Sequence, residues 1–212
     1  MNTSKEQLDI LYGLLPQLTT VRYSIMDSFF HQTLTQHVQN MLMLAPITKA
    51  HPSLSGHLFD KHLLKAVILV HDLPELGMHK DITSWELSRD PELKKIKDKL
   101  EHEKIAELGN IYGEWMPKLF EYYESQSDSL TKFVKWLDKY ESNLFLLEKF
   151  EHRPDPNFNF DWILHNTERM IIAANAFPPM KPVTIARMHE VKPLYERQGR
   201  LGLWEDLIED LN

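Results

Sequence analysis

The residues with the clearest chemical content are the adjacent pair His71-Asp72. They end the apolar run Ala66-Val67-Ile68-Leu69-Val70, and Pro74 and Glu75 follow within three positions. Leu63, Ala66, Val67 and Val70 recur at helical offsets, so the run predicts a buried helix. Pro74 disfavours helical geometry at Leu73 and places the pair at or near that helix's end. Imidazole nitrogen and carboxylate oxygen are both metal ligands. Setting both at the end of a helix too apolar to face water is costly unless something compensates. A divalent cation would do so; the plain alternative is a helix terminus with an aspartate near a turn.

Two other stretches carry a similar donor on an apolar face. Leu34, Val38, Met41, Leu42 and Ala45 form one stripe, and His37 falls on it. Ser127-Asp128-Ser129 caps a long helix with the stripe Leu130, Phe133, Val134, Leu137, Glu141, Leu144, Phe145 and Glu148, and Asp138 lies at its edge. Taken singly, His37 reads as a hydrogen-bonded core histidine and Asp138 as half of a salt bridge. Together with His71 and Asp72 they make two imidazoles and two carboxylates from three helices. That donor set leaves room for one or two waters and suits Mn, Co, Fe, Zn or Mg. Open positions let a cation acidify water and polarise a phosphoryl oxygen. Glu75, His79 and Asp81 fall within ten residues of His71. They lie on a loop that reads either as a solvated turn or as a home for catalytic groups. Arg22 and Tyr23 lie in an irregular piece after the first helix, where an arginine alone reads as a surface charge.

The elements that must position these groups are helices. Only 7 Gly occur in 212 residues, and strand-like alternation is scarce. Ser4 and Gln7 predict a capping box ahead of Leu8, Leu11, Leu15 and Leu18. Thr33 and Gln36 mark the start of the His37 helix, with a polar connection expected over 46–57. Residues 91–109 predict a half-exposed helix with Leu93, Ile96 and Leu100 on one side. Another is expected from Glu114 to Tyr123 with Pro117 in its first turn. Helices follow near 161–176 and 184–197, and a short one after Gly199. The expectation is an all-α chain in which 1–150 carry the chemistry and 151–212 form a helical extension packed on the same domain.

Length allows one sizeable core. A net charge of −7 weighs against a nucleic-acid backbone as partner. The absence of Cys excludes disulfides, Cys-based zinc sites and a thiol nucleophile. The first residues lack a signal-peptide pattern, and no apolar run approaches the ~18 residues of a membrane span. A cytoplasmic protein without a membrane partner is expected.

The order His37, His71-Asp72, Asp138 resembles the HD-domain phosphohydrolases. The run His71-Asp72-Leu73-Pro74-Glu75 and the block Phe133-Val134-Lys135-Trp136-Leu137-Asp138-Lys139 are similar to the 5'-deoxynucleotidases of that family, as is Arg22-Tyr23 ahead of His37. The resemblance covers roughly residues 15–150. Thr35-Gln36 stand where the family commonly has Ser-Glu. The spacing to Asp81 is one residue longer than usual, which makes His79 its rival. The resemblance implies an HD-domain helical bundle with one divalent metal ion held by His37, His71, Asp72 and Asp138. It implies hydrolysis of deoxyribonucleoside 5'-monophosphates to deoxynucleoside and phosphate, with metal-activated water as the nucleophile. Glu75 and Asp81 would be catalytic, and Arg22 would clamp the phosphate with its planar fork of donors. Tyr23 would pack on the sugar and crowd a 2'-hydroxyl, and Lys80 would add a phosphate contact. A homodimer is implied, with the aromatic helix near 115–123 or the tail as candidate contacts. The alternatives are a deoxynucleoside triphosphate phosphohydrolase on the same scaffold, a non-catalytic nucleotide-binding module, and a metal-free helical scaffold.

Overall fold

The chain folds as a succession of helices: α1 (Lys5–Leu14), α2 (Leu34–Lys49), α3 (Lys61–Val70), α4 (Ser84–Arg89), α5 (Pro91–Tyr112), α6 (Trp115–Ser125), α7 (Ser129–His152), α8 (Phe160–Ala176), α9 (Lys181–Arg197) and α10 (Leu201–Glu209). The computed structural model describes residues 3–22, 31–57, 59–76, 78, 82–152 and 160–211. The all-α architecture expected from the sequence is the one observed. Among the described residues the one extended pair is β1 (Val21–Arg22) against β2 (Gln32–Thr33), antiparallel, with Arg22 opposite Gln32. Nothing in the local sequence announces strands this short; their pairing closes the entry into α2.

At the centre lies α3, in contact with α1, α2, α6 and α7. Asp60 starts it by accepting the Leu63 N–H at 2.7 Å. Leu63, Leu64 and every residue from Ala66 to Val70 are buried. A fully buried aliphatic side chain contributes about 1.5–3 kcal/mol. The placement of the His-Asp pair is therefore secured by apolar packing one turn away. After His71 and Asp72, Leu73–Glu75 form a single tight turn. The Thr20 hydroxyl donates to the Met78 carbonyl at 2.8 Å and ties this turn to β1.

Both expected capping boxes are present, Ser4 with Gln7 and Thr33 with Gln36. The connection expected over 46–57 is shorter than read, because α2 continues through Pro46 to Lys49. Pro46 forfeits one intrahelical bond, while Ala45 and Thr48 on either side of it are buried. On α5 the expected inward stripe is also corrected: Ile96 and Leu100 are exposed at 55% and 43%. The helix turns Lys97 and Glu101 toward the interior instead, and packs through Ile105 and Leu108. Gly109 is required where α5 meets α6, since a Cβ there would lie 2.5 Å from Pro117 Cγ.

The Asp128 carboxylate accepts the Thr131 N–H at 3.0 Å at the start of α7. α8 then packs along α7. Two buried hydrogen bonds pin the later helices to α7: Asn143 Nδ2 to Thr167 Oγ1 and Trp136 Nε1 to Thr184 Oγ1, both 2.9 Å. No helix among the described residues is long and apolar enough to cross a membrane.

Candidate metal centre

Helices α2 and α3 bring His37, His71 and Asp72 to one point, and Asp138 of α7 approaches it beside His37. His37 comes from the buried face of α2, His71 from the C-terminal cap of α3 with Asp72 beside it, and Asp138 from the buried face of α7. His71 Nε2 lies 3.4 Å from His37 Nε2 and 3.2 Å from Asp72 Oδ2. His37 Nε2 lies 3.6 Å from Asp72 Oδ2 and 3.4 Å from Asp138 Oδ1. Neighbouring donors on one ion at about 2.1 Å sit about 3.0–3.6 Å from each other, so the spacing of His37, His71 and Asp72 fits a single cation. His37, His71 and Asp72 form a cluster able to hold a metal ion.

The orientation of each ring supports that reading. His71 Nδ1 faces the Ile68 carbonyl at 2.6 Å, and a carbonyl can only accept. His71 therefore carries its proton on Nδ1 and turns the Nε2 lone pair to the centre. His37 Nδ1 is held by the buried Glu141 carboxylate, which directs its Nε2 the same way. Two lone pairs and two carboxylate oxygens converging in a buried spot repel one another unless a proton or a cation lies between them.

Charge at the site follows. For His37, burial and the Arg22 charge oppose protonation, but Glu141 and Asp138 outweigh them and raise its pKa to about 9. Burial would raise Asp72 and Asp138. His71, His37 and Arg22 nevertheless hold the Asp72 carboxyl well below the usual carboxylate range. Lys139, His37 and His71 do the same for Asp138. Lys139, 2.6 Å from Asp138 Oδ2, is pushed down to about 7 by its own burial and by Arg169 and Lys135, against the pull of Asp138.

His71, Asp72 and Asp138 line a cavity of about 300 Å³. Arg22 lines it, with one guanidinium nitrogen 2.9 Å from Ser142 Oγ and the other 3.3 Å from Gln32 Oε1. Glu75 lines it too, paired at 2.7 Å with Lys97 of α5. Tyr23, His79, Lys80 and Asp81 lie outside the described residues. Sequence reasoning missed Lys97 and Glu101 on α5, Lys135 and Lys139 on α7, and Asn166 and Arg169 on α8, all of which line the cavity. The signal for α7 was available, since Lys135 and Lys139 are spaced one turn apart around Asp138. For α8 there was none, because its pairing with α7 crosses the Pro-rich break at 154–156.

The family profile of the HD domain matches residues 20–177. The chain belongs to the HD-domain family. The match takes in all four donors and continues through α8, the helix that brings Asn166 and Arg169 to the cavity. HD domains bind divalent metals and are typically metal-dependent hydrolases. Searches of curated proteins and of solved structures returned no match.

Proposed function

We propose that this HD-domain protein hydrolyses deoxyribonucleoside 5'-monophosphates to deoxynucleoside and phosphate. The observation that carries the reading is the meeting of His37, His71 and Asp72, with Asp138 beside His37, at a cavity whose walls carry both cations and carboxylates. Arg22, Lys94, Lys97, Lys135, Lys139 and Arg169 line it among the described residues, against Asp72, Glu75, Asp98, Glu101, Glu124 and Asp138. With Lys139 protonated these charges balance, so a divalent cation leaves two positive charges in excess. A phosphate monoester of about −2 charge neutralises that excess, whereas a triphosphate overshoots it. This balance favours the monophosphate over the triphosphate reading.

A cation held by His37, His71, Asp72 and Asp138 would supply charge to a phosphoryl oxygen and acidify water. The chain's own side chains do the remaining work. Arg22, Lys139 and Arg169 surround the space beside the donors and receive the peripheral phosphate oxygens, which gather negative charge during transfer. Lys97 pairs with Glu75 at the cavity wall, where the Glu75 carboxylate would take a proton from the attacking water. Phe120 and Tyr123 supply the apolar side of the cavity against which a sugar packs. The preference for deoxynucleotides rests on the similarity of the Arg22-Tyr23 pair and the Phe133–Lys139 block to 5'-deoxynucleotidases.

A phosphate-release screen tests the reading: ribo- and deoxynucleotides, mono- through triphosphate, with Mn, Co, Zn and Mg. Inorganic phosphate from deoxynucleoside monophosphates is expected. Tripolyphosphate released from deoxynucleoside triphosphates would replace this reading with the triphosphatase, and inactivity throughout would favour a binding module.

A further inference from the structure

Glu141 lies on the apolar stripe of α7, three residues after Asp138, and is 2% exposed. A carboxylate buried that deeply must be compensated. Four side chains do so, and all approach as donors. On Oε1, Gln32 Nε2 and Asn40 Nδ2 each lie at 2.7 Å. On Oε2 sit His37 Nδ1 and, at 3.7 Å, the Arg22 guanidinium. The orientation of Gln32 is settled by its other end, because its Oε1 accepts from Arg22, which can only donate. His37 itself is fully buried, so its ring cannot exchange Glu141 for water.

We propose that Glu141 is a positioning residue that locks His37 in the Nδ1–H tautomer and so aims the Nε2 lone pair at the cation. The same carboxylate anchors Arg22, so one buried acid orients a metal ligand and a group lining the substrate cavity. The inference rests on reading His37, His71, Asp72 and Asp138 as ligands and is independent of which phosphate ester is cleaved.

A carboxylate is the one side chain that satisfies this site. An amide in its place presents NH2 to one of the two donor pairs. Turned toward Gln32 and Asn40, it sets donor against donor. Turned toward His37, it forces the imidazole proton onto Nε2, where it displaces the metal. His71 needs no such residue, since the Ile68 carbonyl performs the same service from the backbone. Outer partners of ligating histidines typically change metal affinity by about 10–100-fold when removed.

The test compares wild type with Glu141→Gln without any substrate. Zinc affinity is measured by calorimetry, the His37 tautomer by nitrogen-15 NMR of the zinc-loaded protein, and the fold by circular dichroism. Expected is a 10–100-fold weaker zinc affinity in E141Q, with the helical signal kept. In wild type the His37 proton should be on Nδ1 and strongly hydrogen-bonded. Zinc binding by E141Q within twofold of wild type overturns the proposal and leaves the ligand reading standing. Failure of the wild-type protein to bind zinc overturns both together. Should E141Q not fold, the wild-type spectrum decides: a His37 proton on Nε2, or an Nδ1 proton free of a hydrogen bond, overturns the proposal.

Discussion

The two longest helices, α7 and α5, handle charge in opposite ways. On α7 two acids are buried among Phe133, Val134, Trp136 and Leu137, and each is matched: Asp138 to His37 and Lys139, Glu141 to His37, Gln32 and Asn40. On α5 charged residues dominate, and Lys97 turns inward to pair with Glu101 and with Glu75 at the cavity wall while Ile96 and Leu100 face solvent. A few acids among apolar side chains can be given one geometry each, because packing leaves no alternative. A charge-rich helix at the rim keeps several ion pairs in exchange with water. On the proposed reading the α7 side holds a cation, and the α5 side places a group that exchanges protons.

That contrast ranks the expected effects of substitution. The largest belongs to the donors. His71→Ala and Asp72→Asn should each lower turnover by more than ~100-fold, beyond the cost of losing an outer partner, together with metal content measured by elemental analysis. Glu75→Ala separates the two walls: activity falls by about 10²–10⁴-fold while metal content is unchanged. Retention of wild-type turnover would remove Glu75 from the proton path. Arg22→Ala should raise KM by about 10-fold or more, the scale of one lost hydrogen bond between charged groups, and an unchanged KM would take Arg22 out of the phosphate clamp. At the small end, Ile96→Ser should shift denaturant stability by no more than about 0.5 kcal/mol, against about 2–5 kcal/mol for Leu69→Ala in the buried centre of α3. Comparable losses at both positions would mean that α5 is packed the way its apolar spacing first suggested.

Acid should act on the α7 side first. His37 holds its proton up to about 9 when no metal is bound, and a ligating imidazole must give that proton up. Metal affinity should therefore rise by about tenfold per pH unit as pH climbs toward 9 and level off above it, as followed by calorimetry. A flat profile between pH 6 and 8 would show that no proton leaves on binding.

Much of the α7 and α3 arrangement was legible because it violates the apolar pattern locally. A His on the stripe of α2, a His-Asp pair closing an apolar run, and an Asp beside Leu137 each stand out against neighbours that must be buried. Glu141 stood on the same stripe, yet its meaning depends on Gln32 and Asn40, more than one hundred positions earlier, and no local spacing reveals such partners. Lys97 and Glu101 were hidden for the opposite reason. Among so many charges, an inward-facing pair looks like any solvated face, and the apolar residues Ile96 and Leu100 suggested the wrong side. Arg169 was out of reach, since only the packing of α8 along α7 brings it to the cavity.

The central claim is that His37, His71, Asp72 and Asp138 grip one cation between them. Calorimetric titration of the metal-free protein with Zn or Mn tests it most directly, beside Asp138→Asn as the control farthest in sequence from the His-Asp pair. One ion per chain, with affinity sharply reduced in D138N, is the predicted result. No stoichiometric binding by the wild-type chain, or equal binding by D138N, would contradict it.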